Sequence, residues 1–291
     1  MHRILALALL LVALPAAAQE LKLATWNIAW LTAKPAGHPD IPRNVPRRTE
    51  ADFARLQRYA AALDADVVAI QEVDGRLAAA RVFDATRYDF HFTNEPDVQG
   101  VGFAIRKTLR WRPNPDLAAL GLRDRLRRGA DITVETEAGP LRLLSVHLKG
   151  GCLRDRLDGP RPDCVDLERQ ADILAGWVRE RGREGVGFAV LGDFNRQFPA
   201  NDDFLARLTA AAPLAHTTQG RTNPCWGRDW SFIDHILLGG PAREKLLDGS
   251  LRVLVYREND RRLTEMLSDH CPVSVRLGAA SANNPGRTPT R

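Results

Sequence analysis

Six short apolar runs in this chain contain or border a group that water would normally claim. LKLATWNIAW (21–30) carries Asn27, DVVAIQEV (66–73) carries Glu72, and LRLLSVHLKGG (141–151) carries His147. VGFAVLGDFN (186–195) ends on Asp193 and Asn195, WSFIDHILL (230–238) holds Asp234 and His235, and SDHCPV (268–273) places Asp269 and His270 before its apolar end. Taken singly, each has a bland reading. Asn27 reads as a turn or edge residue, Glu72 as a helix cap, His147 as a satisfied core histidine, Asp234 as half of an ion pair, and Ser268-Asp269 as a turn. Taken together they do not, because a carboxylate in a strand loses hydration unless a cation or hydrogen-bond partner compensates it. A shared site at one end of packed strands explains all six at once.

Strand-like runs are expected at 21–28, 66–73, 87–92, 100–106, 131–137, 141–148, 186–192, 230–238, 251–256 and 271–277. Helical patterns are expected at 50–64, 75–83, 166–181 and 201–210; the third is clearest, with Leu167, Ala171, Leu174 and Val178 along one face. Many strands and few helices predict an α/β fold of two packed sheets flanked by helices. No internal repeat or interior linker divides the chain. The Pro-rich stretch 33–48 reads as a long loop that carries substrate contacts, and loops at 93–99, 150–164 and 217–229 would also choose the substrate.

The first residues have a basic start, an apolar run from Ile4 to Leu14 and small residues to Ala18, the pattern of a secretory signal cleaved near Ala18. The run is too short for a membrane span, and no later stretch is apolar enough for one. A protein exported to the periplasm or beyond is therefore expected, without stable membrane association. The 291-residue chain less these 18 leaves 273 residues, and losing Arg3 lowers the formal net charge from +5 to +4. The expected domain is 19–278, with 279–291 a disordered tail. Basic clusters at Arg43 to Arg48, Arg123 to Arg128 and Arg179 to Glu184 allow a polyanion partner without requiring one, since acidic residues are mixed into two of the three. Four cysteines in an exported chain suggest disulfides. Cys152 and Cys164 flank a Pro, Gly and Asp loop and are the favoured pair, which leaves Cys225 and Cys271 to pair or to remain free; no zinc spacing is present.

Spacing sharpens the site. Asp193 and Asn195 are two apart, so in extended chain both point the same way to hold one water, while Gly192 leaves room for close approach. Glu72, Asp269 and the Asn27 amide are hard oxygen ligands suited to Mg²⁺ or Mn²⁺. Adjacent strand residues face opposite ways, so Asp269 and His270 converge only if the backbone bends before Pro272, and His235 should face away from Asp234. His91 reads as structural, Trp26, Trp30, Trp226 and Trp230 as core or rim packing before ligand stacking, and Arg106 as a lesser phosphate candidate.

TWNIAW, QEV, SVHLKGG, GDFN, FIDHI and SDHCPV, in that order over residues 25–273, resemble the endonuclease/exonuclease/phosphatase superfamily. The resemblance implies a four-layered α/β sandwich with a metal-dependent phosphoesterase site at one edge. By the same resemblance, Asn27 and Glu72 are the metal-binding pair and Asp269 a further acidic ligand or neighbour. Asp193 aligns or deprotonates the attacking water, with Asn195 as its partner. His147 contacts phosphate or protonates the leaving oxygen, and Asp234 orients His270. The expected enzyme is a monomeric DNA nuclease of the DNase I-like kind; the alternatives are a sphingomyelinase-like lipid phosphodiesterase and a non-catalytic binding module.

Overall fold

In a computed structural model of the chain, residues 20–278 are described, apart from 36, 46, 96, 124, 125, 228 and 229. The expected signal segment and tail lie outside them. The strands are β1 (Leu21–Leu31), β2 (Val67–Val73), β3 (Tyr88–Phe92), β4 (Val101–Arg106), β5 (Trp111–Pro113) and β6 (Ala130–Thr136). They continue as β7 (Gly139–His147), β8 (Gly187–Asp193), β9 (Leu214–His216), β10 (Asp234–Gly239), β11 (Arg252–Val253) and β12 (Val273–Leu277). The α-helices are α1 (Glu50–Leu63), α2 (Gly75–Ala79), α3 (Pro162–Glu184), α4 (Asp203–Ala211) and α5 (Arg261–Leu267).

Two mixed six-stranded sheets, ordered β11-β12-β1-β2-β4-β3 and β5-β6-β7-β8-β10-β9, pack face to face. The period-two alternation of the strands sets three apolar layers. Inward positions such as Leu23, Val67, Phe103, Leu143, Leu191 and Ile236 fill the space between the sheets. Outward positions of the first sheet, including Ala24, Trp26 and Ile70, meet Phe53 and Leu56 of α1. Those of the second, including Leu144, Val146 and Val190, meet Leu167, Leu174 and Val178 of α3 and Phe204 of α4. This is the expected four-layered sandwich. Among the described residues no helix is long and apolar enough to cross a membrane.

The departures from the predicted elements have local causes. The 251–256 run pairs only at Arg252↔Ser274 and Val253↔Val273, and Leu254 N still donates to Pro272 O. Pro272 has no N–H to return, so the ladder stops. The 230–238 run becomes a strand only from Asp234, because β8 ends at its partner Asp193 and turns away through Asn195 at φ +52°. The third helix begins earlier than its apolar face, at Pro162, with proline in its first turn. Two bridges are present: Cys152–Cys164, as expected, and Cys225–Cys271, which spans β10, β11 and α5.

Candidate active site

Along the inward rows of the central strands, apolar side chains give way to polar ones at the same end. Leu23 is followed by Thr25 and Asn27, Val67 and Ala69 by Gln71, Leu143 by Ser145 and His147, Leu191 by Asp193, and Ile236 is preceded by Asp234. The registers Asn27↔Gln71, His147↔Asp193 and Asp193↔Asp234 align these rows across each sheet. Thr25, Gln71 and Ser145 form a buried polar layer, with Thr25 Oγ1 donating to Gln71 Oε1 at 3.2 Å and Gln71 Nε2 donating to Ser145 Oγ at 3.1 Å. Sequence reasoning missed this layer, although its signal was in the runs already quoted: Thr25 and Ser145 stand two positions before Asn27 and His147, and Gln71 one before Glu72.

Glu72 should by alternation face the outer layer. Its φ of +57° turns it instead toward Asn27, and the facing segment of β1 bulges through Ala29 (φ +41°) and Trp30 (φ +54°). Non-glycine residues in this region are held there at a cost of about 1–3 kcal/mol each, and such strain gathers at functional sites. The bulge satisfies both side chains: Trp30 N donates to the Glu72 carboxylate at Oε2, 3.2 Å, and Ala29 N to the Asn27 carboxamide at Oδ1, 2.9 Å. Asn27 Nδ2 then lies between two carboxylates, 3.2 Å from Glu72 Oε1 and 3.0 Å from Asp193 Oδ2.

Asp193 is the centre of the cluster. Asn195 is not in extended chain as expected; it curls back so that its N–H donates to Asp193 Oδ1 at 2.8 Å and its Nδ2 to Leu148 O at 3.1 Å. Gly192 serves the backbone rather than a ligand, since a Cβ there would stand 2.0 Å from Val146 O of β7. Two imidazoles flank Asp193 Oδ2, His147 Nε2 at 3.6 Å and His270 Nε2 at 3.9 Å. His270 Nδ1 is bonded to Asp234 Oδ2 at 2.8 Å. The predicted bend before Pro272 is present: Ser268 Oγ accepts from His270 N at 3.0 Å and donates to Asn27 O at 2.8 Å, which joins the last segment to the first. Asp269 lies at the rim, its side chain 77% exposed and its Oδ1 3.9 Å from His270 Nε2.

The two histidines are driven apart electrically. Burial disfavours charge on both. For His147 it wins over Asp193 and lowers the pKa; for His270 it is overcome by Asp234 and Asp193 together, which hold the pKa well above the imidazole range. Burial also raises the pKa of Asp193, against the pull of His270 and His147. On Glu72 burial is outweighed by His147 and the Asn27 hydrogen bond, and its pKa is lowered.

A donor set of carboxylates and a carboxamide, with Glu72 ionised, suits a hard divalent cation. Asn27 and Glu72 would hold it, with Asp269 available at the rim. Asp193, Asp234 and His270 also bring ligand atoms within 4.8 Å of one another, but that closeness is in part the His270–Asp234 hydrogen bond itself.

Residues weighed at the margin fall outside the cluster. Arg106 binds Asp64 and Asp66 and lines neither of the cavities at the cluster. His235 faces the other way as predicted, its ring stacked on Phe198 at 4.1 Å with Nε2 bonded to Arg196 O at 2.9 Å. Trp26 is core, and its indole donates to Tyr256 Oη. Trp226 and the 61%-exposed Trp230 line a groove of about 950 Å³ that opens onto Asp234, Asp269 and His270. A second cavity, of about 410 Å³, joins Glu72, His147 and Asn195 to Arg123, Arg127 and Lys149.

The profile of the Endonuclease/Exonuclease/phosphatase family matches residues 24–270. Among solved structures, the chain is similar to TDP2 from D. rerio complexed with a single strand DNA product, at 16% identity and TM-score 0.61 over 89% of this chain and 99% of that one. It is also similar to a 3'-5' exonuclease from Neisseria meningitidis, at 19% identity and TM-score 0.60 over 89% and 100% of the two chains. A third, an endonuclease/exonuclease/phosphatase from Bacteroides vulgatus, gives 16% identity and TM-score 0.60 over 90% and 99%. No curated protein matches the sequence.

Proposed function

The chain belongs to the endonuclease/exonuclease/phosphatase family, and from that premise we propose that it is an exported, divalent-metal-dependent phosphodiesterase whose substrate is DNA. The observation that carries this reading is the convergence of Asn27 Nδ2, His147 Nε2 and His270 Nε2 on Asp193 Oδ2, with His270 fixed from behind by Asp234. In-line hydrolysis of a phosphodiester needs an oriented water, a cation facing the phosphoryl oxygens and a proton for the departing oxygen. Asp193, held by the Asn195 N–H, orients and accepts a proton from the water. His270, charged and fixed by Asp234, faces the anion. His147 contacts the phosphate from the opposite side. Asn27 and Glu72, with Asp269 at the rim, would hold Mg²⁺ or Mn²⁺, which when bound would polarise the phosphate and ease departure of the alkoxide, whose proton then comes from solvent.

DNA is favoured by the two flanks of the cluster. The cations of the Arg123–Lys149 cavity suit phosphates, and their acids, Asp166 for Arg123 and Asp163 for Lys149, are not among its lining residues. The tryptophans of the other groove suit bases. The D. rerio relative holds a single strand DNA product, and two disulfides suit an oxidising compartment.

The test is one panel. Residues 19–291 are incubated with Mg²⁺, Mn²⁺ or EDTA on plasmid DNA, RNA, sphingomyelin and a generic phosphodiester. Metal-dependent loss of DNA is expected. Intact nucleic acids with cleaved sphingomyelin would refute the nuclease assignment, and equal inactivity of the wild type and Asp193→Ala on every substrate would refute the phosphoesterase.

A further inference from the structure

The Pro-rich segment expected to touch substrate ends in a residue that touches something else. Arg48 directs its guanidinium at five backbone carbonyls and, among the described residues, makes no ion pair. Nη2 donates to Ile28 O, Ala29 O and Leu267 O at 2.9, 2.8 and 2.9 Å, Nη1 to Trp30 O at 3.1 Å, and Nε to Met266 O at 2.8 Å. Three of these carbonyls belong to the bulge that follows Asn27 and supplies the N–H groups for Asn27 and Glu72. The other two immediately precede Ser268, Asp269 and His270.

These two segments have no ladder between them. The β1–β12 register ends at Thr25↔Val273, one step before Pro272. Beyond that point β1 carries Asn27 and the partner segment carries His270, so both halves of the site lie where main-chain pairing has stopped. Side chains take over the connection. Ser268 Oγ makes one link, to Asn27 O, and Arg48 makes five. Arg48 is itself held on a rigid element, because the next residue, Thr49, caps α1 with a reciprocal pair: Thr49 N donates to Asp52 Oδ2 at 2.8 Å and Asp52 N to Thr49 Oγ1 at 3.4 Å.

We propose that Arg48 is a positioning residue that replaces the missing β1–β12 hydrogen bonds and fixes the spacing between the Asn27–Glu72 and Asp269–His270 halves of the site. The inference rests on the phosphodiesterase reading for its catalytic consequence, not for its structural one. The planar fork of arginine reaches both segments at once; lysine, with three donors on one point, cannot span them. Groups that hold ligands and catalytic side chains in place are typically worth about 10- to 100-fold in affinity or activity, and a displacement of about 1 Å can cost about 100-fold.

The test uses full-length Arg48→Lys, Arg48→Met and Arg48→Ala, with Ser268→Ala as the variant that cuts the parallel link and keeps the charge. On whichever panel substrate the wild type cleaves, kcat should fall about 10- to 100-fold with KM changed less than about threefold. Millimolar guanidinium should partly restore Arg48→Ala. Amide exchange should rise at Ala29, Trp30 and His270, whose N–H groups serve the two halves, while the Leu23 and Val275 amides of the ladder keep their protection. A wild-type kcat in folded Arg48→Lys, or protection lost evenly along β1 and β12, would overturn the proposal. If Arg48→Met does not fold, Arg48→Lys and Ser268→Ala still decide it. Inactivity of the wild type on the whole panel would sink the phosphodiesterase reading, and the exchange pattern would then stand alone for or against the clamp.

Discussion

Replacing Cys225 and Cys271 together by alanine should cost more stability than removing any other covalent link in the molecule. The bridge closes a loop with a sequence separation of 46, which contains Asp234, Asp269 and His270. In the chain-entropy account, a loop of that length restricts the unfolded ensemble by about 4 kcal/mol at 25 °C; the Cys152–Cys164 bridge, with a separation of 12, gives about 3 kcal/mol. A domain of roughly 260 residues unfolds with an entropy of about 0.55 kcal/mol/K, so the expected falls in Tm are about 7 °C and about 5 °C. Scanning calorimetry of C225A/C271A and C152A/C164A, each against wild type, measures both. The order of the two is the sharper test, because errors in the unfolded reference are largely shared. A fall of a degree or less in C225A/C271A would refute the loop argument, and would mean that the loop is already constrained in the unfolded chain. Both cysteines are buried, so a fall well beyond 7 °C would point to lost packing as well.

Other expectations follow from the same contacts. Asp193→Asn and His270→Ala should lower kcat by about 10²- to 10⁴-fold under saturating Mn²⁺, measured on a substrate that the wild type cleaves. Because burial raises the pKa of Asp193, its ionised form opposes folding as pH rises through the carboxylate range, so in EDTA Asp193→Asn should melt no lower than wild type at pH 8. His235 is buried with its pKa pushed down to about 3, so it stays neutral in the fold and protonates first in the unfolded chain. Its share of stability is complete above the ordinary imidazole value of about 6.5 and declines as pH falls toward 3. Denaturant titrations at pH 7.5 and pH 5 should differ by on the order of 2 kcal/mol, a gap that His235→Gln should narrow. Arg196 is almost wholly buried and bonded to Asp202, Asp203 and the carbonyls of Cys152 and Asp155; Arg196→Met should cost about 3–5 kcal/mol in urea unfolding.

The fold was legible because period-two alternation is local. Leu23, Thr25 and Asn27, or Leu191 and Asp193, announce both the face they share and the end at which it turns polar. The candidate site was legible for the same reason, since its eight residues all stand in or border those six runs. What could not be read from the chain depended on backbone hand and on distant partners. Glu72 reaches Asn27 by a left-handed φ that no alternation predicts, and Asn195 meets Asp193 through a turn rather than along a strand. β5, β9 and α5 are short elements whose patterns span only a turn or a strand pair. Arg48 sat in a stretch read as a substrate loop, and only the folded arrangement brings carbonyls 218 and 219 residues away to it.

The seam between β1 and β12 also fixes when the site comes into being. Asn27 and Glu72 leave the ribosome well before His270 and its link through Ser268. An unfinished chain therefore holds a carboxylate cluster with no fixed imidazolium facing it. The facing of His270 and Asp193 is therefore complete only when β12 is seated beside β1.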